Sequence, residues 1–189
     1  EQDAFQTLFH PRRGFGMLTC SRYVKSPSVK MLECLELKAY RREHPTIPEA
    51  AVVPTKHRDD TANGLTRCII RYLQIKGWQA ERVNTMGRPV DTRKTFDVAG
   101  CQRQIGTLRW GKSTSTPGSA DISATIAGRS VKIEVKIGAD RQSEAQRRYQ
   151  ASIERAGGLY FVAKDFTTFV EWYGETFPNE ITYGDSRNH

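Results

Sequence analysis

Two carboxylates and a lysine in the C-terminal half of this 189-residue chain are of the types that could serve metal-assisted hydrolysis if strand pairing gathers them on one face. Asp121 opens one alternating run, and Glu134 and Lys136 sit in the next, across a short Ala127-Gly128-Arg129 link. Ile122, Ala124 and Ile126 alternate with Asp121, Ser123 and Thr125, while Val131, Ile133, Val135 and Ile137 alternate with Lys132, Glu134 and Lys136. Successive side chains of a strand point to opposite faces, so a hairpin over Asp121 to Ile126 and Ser130 to Ile137 has one apolar and one charged face. A turn at Ala127-Gly128 puts Asp121 directly opposite Glu134. A turn at Gly128-Arg129, which suits the Gly-first type II′ geometry, puts Asp121 opposite Lys136 with Glu134 as its diagonal neighbour. Either even register gathers the same three residues on one face, whereas an unbulged three-residue loop would scatter them. Carboxylates on directly opposite residues, with Cβ atoms about 5 Å apart, repel unless something positive lies between them.

A divalent cation resolves that conflict. Asp121, Glu134 and the backbone carbonyl of Val135 are oxygen donors, which with water and phosphate suit Mg²⁺ or, equally, Mn²⁺. Such an ion polarises a phosphodiester oxygen and lowers the pKa of water, and Lys136 on the same face would orient that water or stabilise the charge developing on phosphate. Rival chemistries lack their residues. Ser113, Ser115 and Ser119 have no His-plus-acid signature, and there is no G-x-x-x-x-G-K-[ST] loop. Cys20, Cys34, Cys68 and Cys101 form no C-x-x-C pair, and His10, His44 and His57 do not complete a zinc pattern. The plainer alternative is that Lys132-x-Glu134-x-Lys136 guards an exposed edge strand against aggregation.

The elements that must position these residues follow from periodicity. Leu65, Ile69, Tyr72 and Leu73 recur at helical spacing from Thr61 until Gly77 stops the helix, and Trp78 to Asn84 reads as a strand. Gly, Pro, Ser and Thr then dominate to Ser119, predicting a mobile loop broken by a short strand from Ile105 to Trp110. After the hairpin, Ser143 to Ala156 reads as a helix with Ala145, Tyr149 and Ile153 as its packing stripe. Ser143-x-x-Gln146 spells a capping box, which explains Gln146 structurally while leaving it near the charged face of the hairpin. A strand from Leu159 to Ala163 and a helix opening at Asp165, with Phe166, Phe169, Val170, Tyr173 and Phe177 as its stripe, complete the core. The predicted fold is α/β, a small mixed sheet flanked by helices in the order α-β-β-β-α-β-α over residues 61–177. An N-terminal extension (1–60) contributes a helix from Ser28 to Glu43, capped by Ser28 and with Met31, Leu32, Leu35 and Ala39 as its docking stripe, then a Pro-rich linker. Residues 178–189 form a tail.

Charge supplies the expected partner. The net charge of +8 is concentrated in residues 61 to 112, which hold 10 basic and 3 acidic groups. That is the footprint of a phosphate-backbone partner, DNA first and RNA second. Arg82, Asn84, Lys112 and Arg147 are the nucleic-acid-binding candidates, and Gly118 would let the chain approach a bound strand closely. No apolar run is long enough to span a membrane, and the scattered cysteines fit a reducing, cytoplasmic setting.

Gly118-Ser119-Ala120-Asp121, Ile133-Glu134-Val135-Lys136 and Gln146 on the following helix resemble the PD-(D/E)XK nuclease superfamily, more narrowly its VRR-NUC and Holliday-junction-resolvase-like branch among phage and mobile-element nucleases. The similarity spans roughly Thr61 to Tyr173. It implies a restriction-endonuclease-like core, Asp121 and Glu134 as metal ligands, Lys136 as the catalytic lysine and Gln146 as an accessory active-site residue. Two positions depart from the pattern. The first helix opens Thr61-Ala62-Asn63-Gly64, with Asn63 where members often carry an acid, and Ala120 replaces the Pro before the Asp. The expected function is therefore a divalent-metal-dependent nuclease, an endonuclease by resemblance, that hydrolyses DNA phosphodiester bonds; structure selectivity and pairing as a homodimer are options that the sequence leaves open. The alternative is a non-catalytic nucleic-acid-binding module on the same fold.

Overall fold

A computed structural model describes residues 23–84, 88–90, 95–103, 109–111 and 116–180. In chain order the elements are α1 (Pro27–Glu43), α2 (Ala62–Ile75), β1 (Gln79–Arg82), β2 (Arg88–Val90), β3 (Thr95–Phe96), β4 (Gln102–Arg103) and β5 (Arg109–Gly111). Then follow β6 (Ile122–Ile126), β7 (Arg129–Val135), α3 (Glu144–Arg155), β8 (Leu159–Ala163) and α4 (Phe166–Thr176). The architecture is α/β, with a mixed four-stranded sheet in the order β1-β6-β7-β8 flanked by the helices. β1, β6 and β7 are antiparallel neighbours, and β8 joins parallel to β7 after the α3 crossover.

The hairpin chooses between its two registers. Ile122 pairs with Ile133 and Ile126 with Arg129, so the turn is Ala127-Gly128. Both turn residues have positive φ, 48° at Ala127 and 75° at Gly128, the type I′ pattern whose twist matches the strands it joins. The apolar face of the sheet carries Ala80, Ile122, Ala124, Ile126, Val131, Ile133 and Val135, all buried. Against it pack α2, through Leu65, Ile69, Tyr72 and Leu73, and α4, through Phe166, Phe169 and Tyr173. The Tyr72 ring meets those of Phe166, Phe169 and Tyr173 edge-on, and Trp78 Nε1 donates to the Tyr173 hydroxyl at 2.8 Å. α3 lies across the opposite, polar face, where Tyr149 meets Tyr160 of β8. It buries none of its residues fully, so this face is only half covered.

Several boundaries move. α1 begins at Pro27 with Ser26 as N-cap, accepting from Val29 N at 3.2 Å, rather than with Ser28, because Pro suits the first helical position. The docking stripe also differs: Val29 and Leu32 are in the core, Leu35 packs against it and Met31 is exposed. α1 docks on α2 and α4. A polar seam holds its lower side, where Glu36 accepts from Arg71 Nε at 2.7 Å and His57 Nε2 lies 2.5 Å from its other oxygen. The segment expected to be loop contains two antiparallel ribbons, β2 with β5 and β3 with β4, separate from the main sheet. The strand expected over Ile105 to Trp110 is seen only as Arg109–Gly111, since 104–108 lie outside the described residues. Cys34, Cys68 and Cys101 are free thiols, and no helix among the described residues is long and apolar enough to cross a membrane.

Candidate active site

The register fixes the geometry. Asp121 stands one residue beyond the Ile122–Ile133 pair and so faces Glu134 across the end of the hairpin. It leaves the regular ladder, and its groups are held from both sides. Its carbonyl accepts from Val83 N at 2.8 Å, and its carboxylate Oδ2 accepts from Val135 N at 2.9 Å. In a strand a residue's N–H and C=O point to the same side, so the Val135 carbonyl is also directed toward the Asp121 side.

Glu134 sits on β7, between β6 and β8, and is 1% exposed. A buried carboxylate is costly unless paired and hydrogen-bonded. Its Oε1 takes both available bonds, an ion pair with Lys136 Nζ at 3.1 Å and a close hydrogen bond donated by Gln146 Nε2. Its Oε2 is buried and has no partner, and the same holds for the Tyr160 hydroxyl. Tyr160 lies on β8 opposite Lys132, one row along from Glu134 on the same face. Burial and then the neighbouring Asp121 charge push the Glu134 carboxyl above the usual carboxylate range, against the pull of Lys136. Tyr160 is close enough to pull weakly in the same direction as Lys136, though its hydroxyl lacks hydrogen-bonding geometry to the carboxylate. Burial and the Glu134 charge in turn raise the Tyr160 phenol. Glu134 Oε2 and the Tyr160 hydroxyl are thus two buried oxygens of this face left without a hydrogen bond. Buried orphans of this kind mark a place for a ligand, an ion or water.

Gln146 performs both of its expected roles at once. Its Oε1 accepts from Ser143 N at 2.9 Å and its N–H donates to Ser143 Oγ at 3.2 Å, completing the capping box, while its amide nitrogen reaches Glu134. Cap and site therefore share one side chain. The preceding loop is tied to the same helix. Thr116-Pro117-Gly118-Ser119 is a tight turn, with Ser119 N donating to Thr116 O at 3.0 Å and Gly118 at φ +82°. Pro at the second and Gly at the third position are what a type II turn requires. A Cβ on Gly118 would lie 2.5 Å from the Ala145 carbonyl carbon and oxygen and 2.7 Å from Gln146 N. The close approach that this glycine permits is thus to the start of α3, rather than to a bound strand.

The residues proposed for backbone binding are less gathered. Arg82 is exposed at the end of β1 and pairs with Ile122, which places it on the helix-covered side of the sheet, away from the carboxylates. Asn84 is exposed just past Val83, close in sequence to the Asp121 anchor, and Arg147 is exposed beside Gln146 on α3. Lys112 lies outside the described residues. Two residues of the charged face were not among the sequence-based site candidates: Tyr160, and Lys132, named only in the edge-strand motif, whose Nζ donates to Ser123 Oγ at 2.6 Å one row behind Glu134. Lys132 was visible in the alternation; Tyr160 needed the parallel β7–β8 pairing.

The donor set suits a hard cation in type though it is small in number. Asp121 Oδ1, Glu134 Oε2 and the Val135 carbonyl are oxygens, as Mg²⁺ or Mn²⁺ prefers. Among the described residues, no three His, Cys, Asp or Glu side chains come together. The first turn of α2 carries no acid. Compared with known proteins, the chain matches no protein-family model and no curated protein.

Proposed function

We propose that the chain is a divalent-metal-dependent nuclease that hydrolyses DNA phosphodiester bonds, a member of the PD-(D/E)XK group that its sequence resembles. The observation that carries the proposal is the buried Glu134 carboxylate, facing Asp121 with one oxygen unpartnered and the other fixed by Lys136 and Gln146. Asp121, Glu134 and the Val135 carbonyl would hold Mg²⁺ or Mn²⁺, which when bound supplies Lewis-acid polarisation of phosphate and a more acidic water. The chain's own contribution is positional and electrostatic. Gln146 and Lys136 fix which oxygen of Glu134 stays available, and the Val135 amide does the same for Asp121. The Lys136 ammonium, 13% exposed, carries positive charge to the edge of this face, where it can stabilise negative charge developing on phosphate. Basic residues 61 to 112 would grip the backbone. The free thiols favour work in a reducing compartment such as the cytoplasm.

Among the described residues no third acid joins Asp121 and Glu134, which favours a second reading, a nucleic-acid-binding module without catalysis. Cleavage separates the two. Purified protein with Mg²⁺ or Mn²⁺ is expected to cut at least one of single-stranded, duplex, flap and junction DNA or RNA, and Asp121→Ala and Lys136→Ala are expected to abolish cutting. Inertness on the whole panel with salt-dependent binding retained would favour the module. Measuring whether activity rises with the square of protein concentration tests pairing of two copies.

A further inference from the structure

The basic segment between β1 and β6 ends in a feature that the carboxylate site does not use. Phe96 closes β3 and pairs with Gln102 of β4, and the three residues between Asp97 and Cys101 form the tip. Asp97 N donates to Cys101 O at 3.0 Å and Gly100 N to Asp97 O at 2.9 Å. Asp97 Oδ1 accepts from Ala99 N at 3.0 Å and from Cys101 N at 2.8 Å, and Gly100 is left-handed at φ +77°. A three-residue loop with its last residue in that conformation is a well-defined hairpin end. Yet the side chains that this ordered turn presents outward are apolar. Phe96 is 70% exposed and Val98 fully exposed, although the main sheet has a large covered core to receive such groups. The segment around them is strongly cationic by sequence: residues 82 to 112 contain seven Lys and Arg against Asp91 and Asp97, with Arg103 in β4 of this ribbon and Arg88 and Arg109 in the separate β2–β5 ribbon.

We infer that this ribbon is a wedge for nucleic acid, in which the basic segment that carries it follows the phosphate backbone and Phe96, with Val98 beside it, stacks on a base at a point where duplex stacking is interrupted. The inference rests on the proposal that nucleic acid is the partner, but not on the chain's being catalytic. The charge selects a polyanion over an ordinary protein partner. The apolar tip then selects a polyanion that offers a π-face, since every base can stack on an aromatic ring whatever the sequence. Separating bases that are already unpaired costs least, so a mismatch, nick or branch is the favoured target over intact duplex. A ribbon end held by four hydrogen bonds is already ordered, so insertion does not have to order it.

The test uses the full chain in EDTA, where no cutting occurs, with fluorescent 2-aminopurine at the centre of a mismatched 30-mer, at a four-way junction and in a matched duplex. The wild type is expected to raise 2-aminopurine fluorescence on the mismatched or branched probe and to bind it more tightly than the duplex. The surface double variant Phe96→Ser/Val98→Ser should lose the rise and about tenfold of that affinity while binding duplex within about twofold of wild type. Phe96→Trp should keep the rise, and Val53→Ser, exposed elsewhere, should change nothing. Binding without a fluorescence change, an unchanged double variant, or no nucleic-acid binding at all overturns the wedge. So does a concentration-dependent dimer that the double variant dissolves, which would assign the tip to a second copy of the chain. A fluorescence rise with no cleavage in Mg²⁺ leaves the wedge standing and removes the nuclease.

Discussion

Replacing Gly118 by Ala probes the joint between the loop before Asp121 and the helix that carries Gln146. Two costs arise there and can be separated. The first is backbone: φ is +82°, a conformation that costs a non-Gly residue about 1–2 kcal/mol. The second is steric, because the new methyl would lie 2.5 Å from the Ala145 carbonyl and 2.7 Å from Gln146 N, all of them backbone atoms that cannot rotate aside. Overpacking of this kind costs about 1–3 kcal/mol. Gly128 provides the control, with φ +75° and nothing within 4 Å of an added Cβ. Gly128→Ala should therefore lose about 1–2 kcal/mol and Gly118→Ala about 2–5 kcal/mol, read as urea midpoints by circular dichroism. At about 2–4 °C per kcal/mol for a chain of this size, Gly118→Ala should melt distinctly earlier than Gly128→Ala. The relief available to Gly118→Ala is a shift of the α3 N-terminus, which draws Gln146 away from Glu134, so its cleavage rate should fall below that of Gly128→Ala at a temperature where both are folded. Equal stabilities and equal rates for the two variants would refute the reasoning.

Three further perturbations have defined outcomes. Ser143→Ala removes the cap of α3 without touching Glu134, so it should cost about 1 kcal/mol with cleavage kept, whereas Gln146→Ala should lose a similar amount and slow cleavage as well, checked by paired melting and plasmid assays. Glu36 is held below its ordinary value of 4.5: burial works against this, but the hydrogen bonds with His57 and Arg71 outweigh it. A lowered acid contributes stability above its unfolded pKa and loses it as pH falls through the folded value. Glu36→Gln should thus cost about 2 kcal/mol at pH 7, and the gap from wild type should close as pH drops below 4.5 in acid-titration melts. Ala127→Asn should stabilise by about 0.5–1 kcal/mol in urea, since Asn tolerates the φ of +48° that the turn imposes on Ala.

What the sequence could and could not reveal depends on the range of each interaction. The polar and apolar faces of the hairpin follow from period-two alternation alone, and the core stripes of α2 and α4 follow from helical spacing. The register stayed open because Ala127-Gly128 demands a strained Ala while Gly128-Arg129 offers a Gly-first turn; pairing along the strands decides it in favour of the former. Apart from the strand expected near Trp110, the ribbon strands escaped notice because strands of two or three residues carry no measurable alternation. Tyr160 reaches Glu134 through parallel pairing across the α3 crossover, a long-range relation that no local pattern encodes. Gln146 was legible both as a cap and as a neighbour of the charged face, and its short side chain serves both. Gly118 signalled a close backbone approach but not its neighbour, because only the fold brings α3 against it.

The central claim is that Asp121 and Glu134 together seat a divalent cation. Calorimetric titration of Mn²⁺ into the metal-free protein tests it, with Asp121→Asn and Glu134→Gln alongside and their folding checked by circular dichroism. Saturable binding by the wild type that both folded variants lose is the expected result; binding that persists unchanged in both, or none in the wild type even with uncut DNA present, would rule out a cation seat at Asp121 and Glu134.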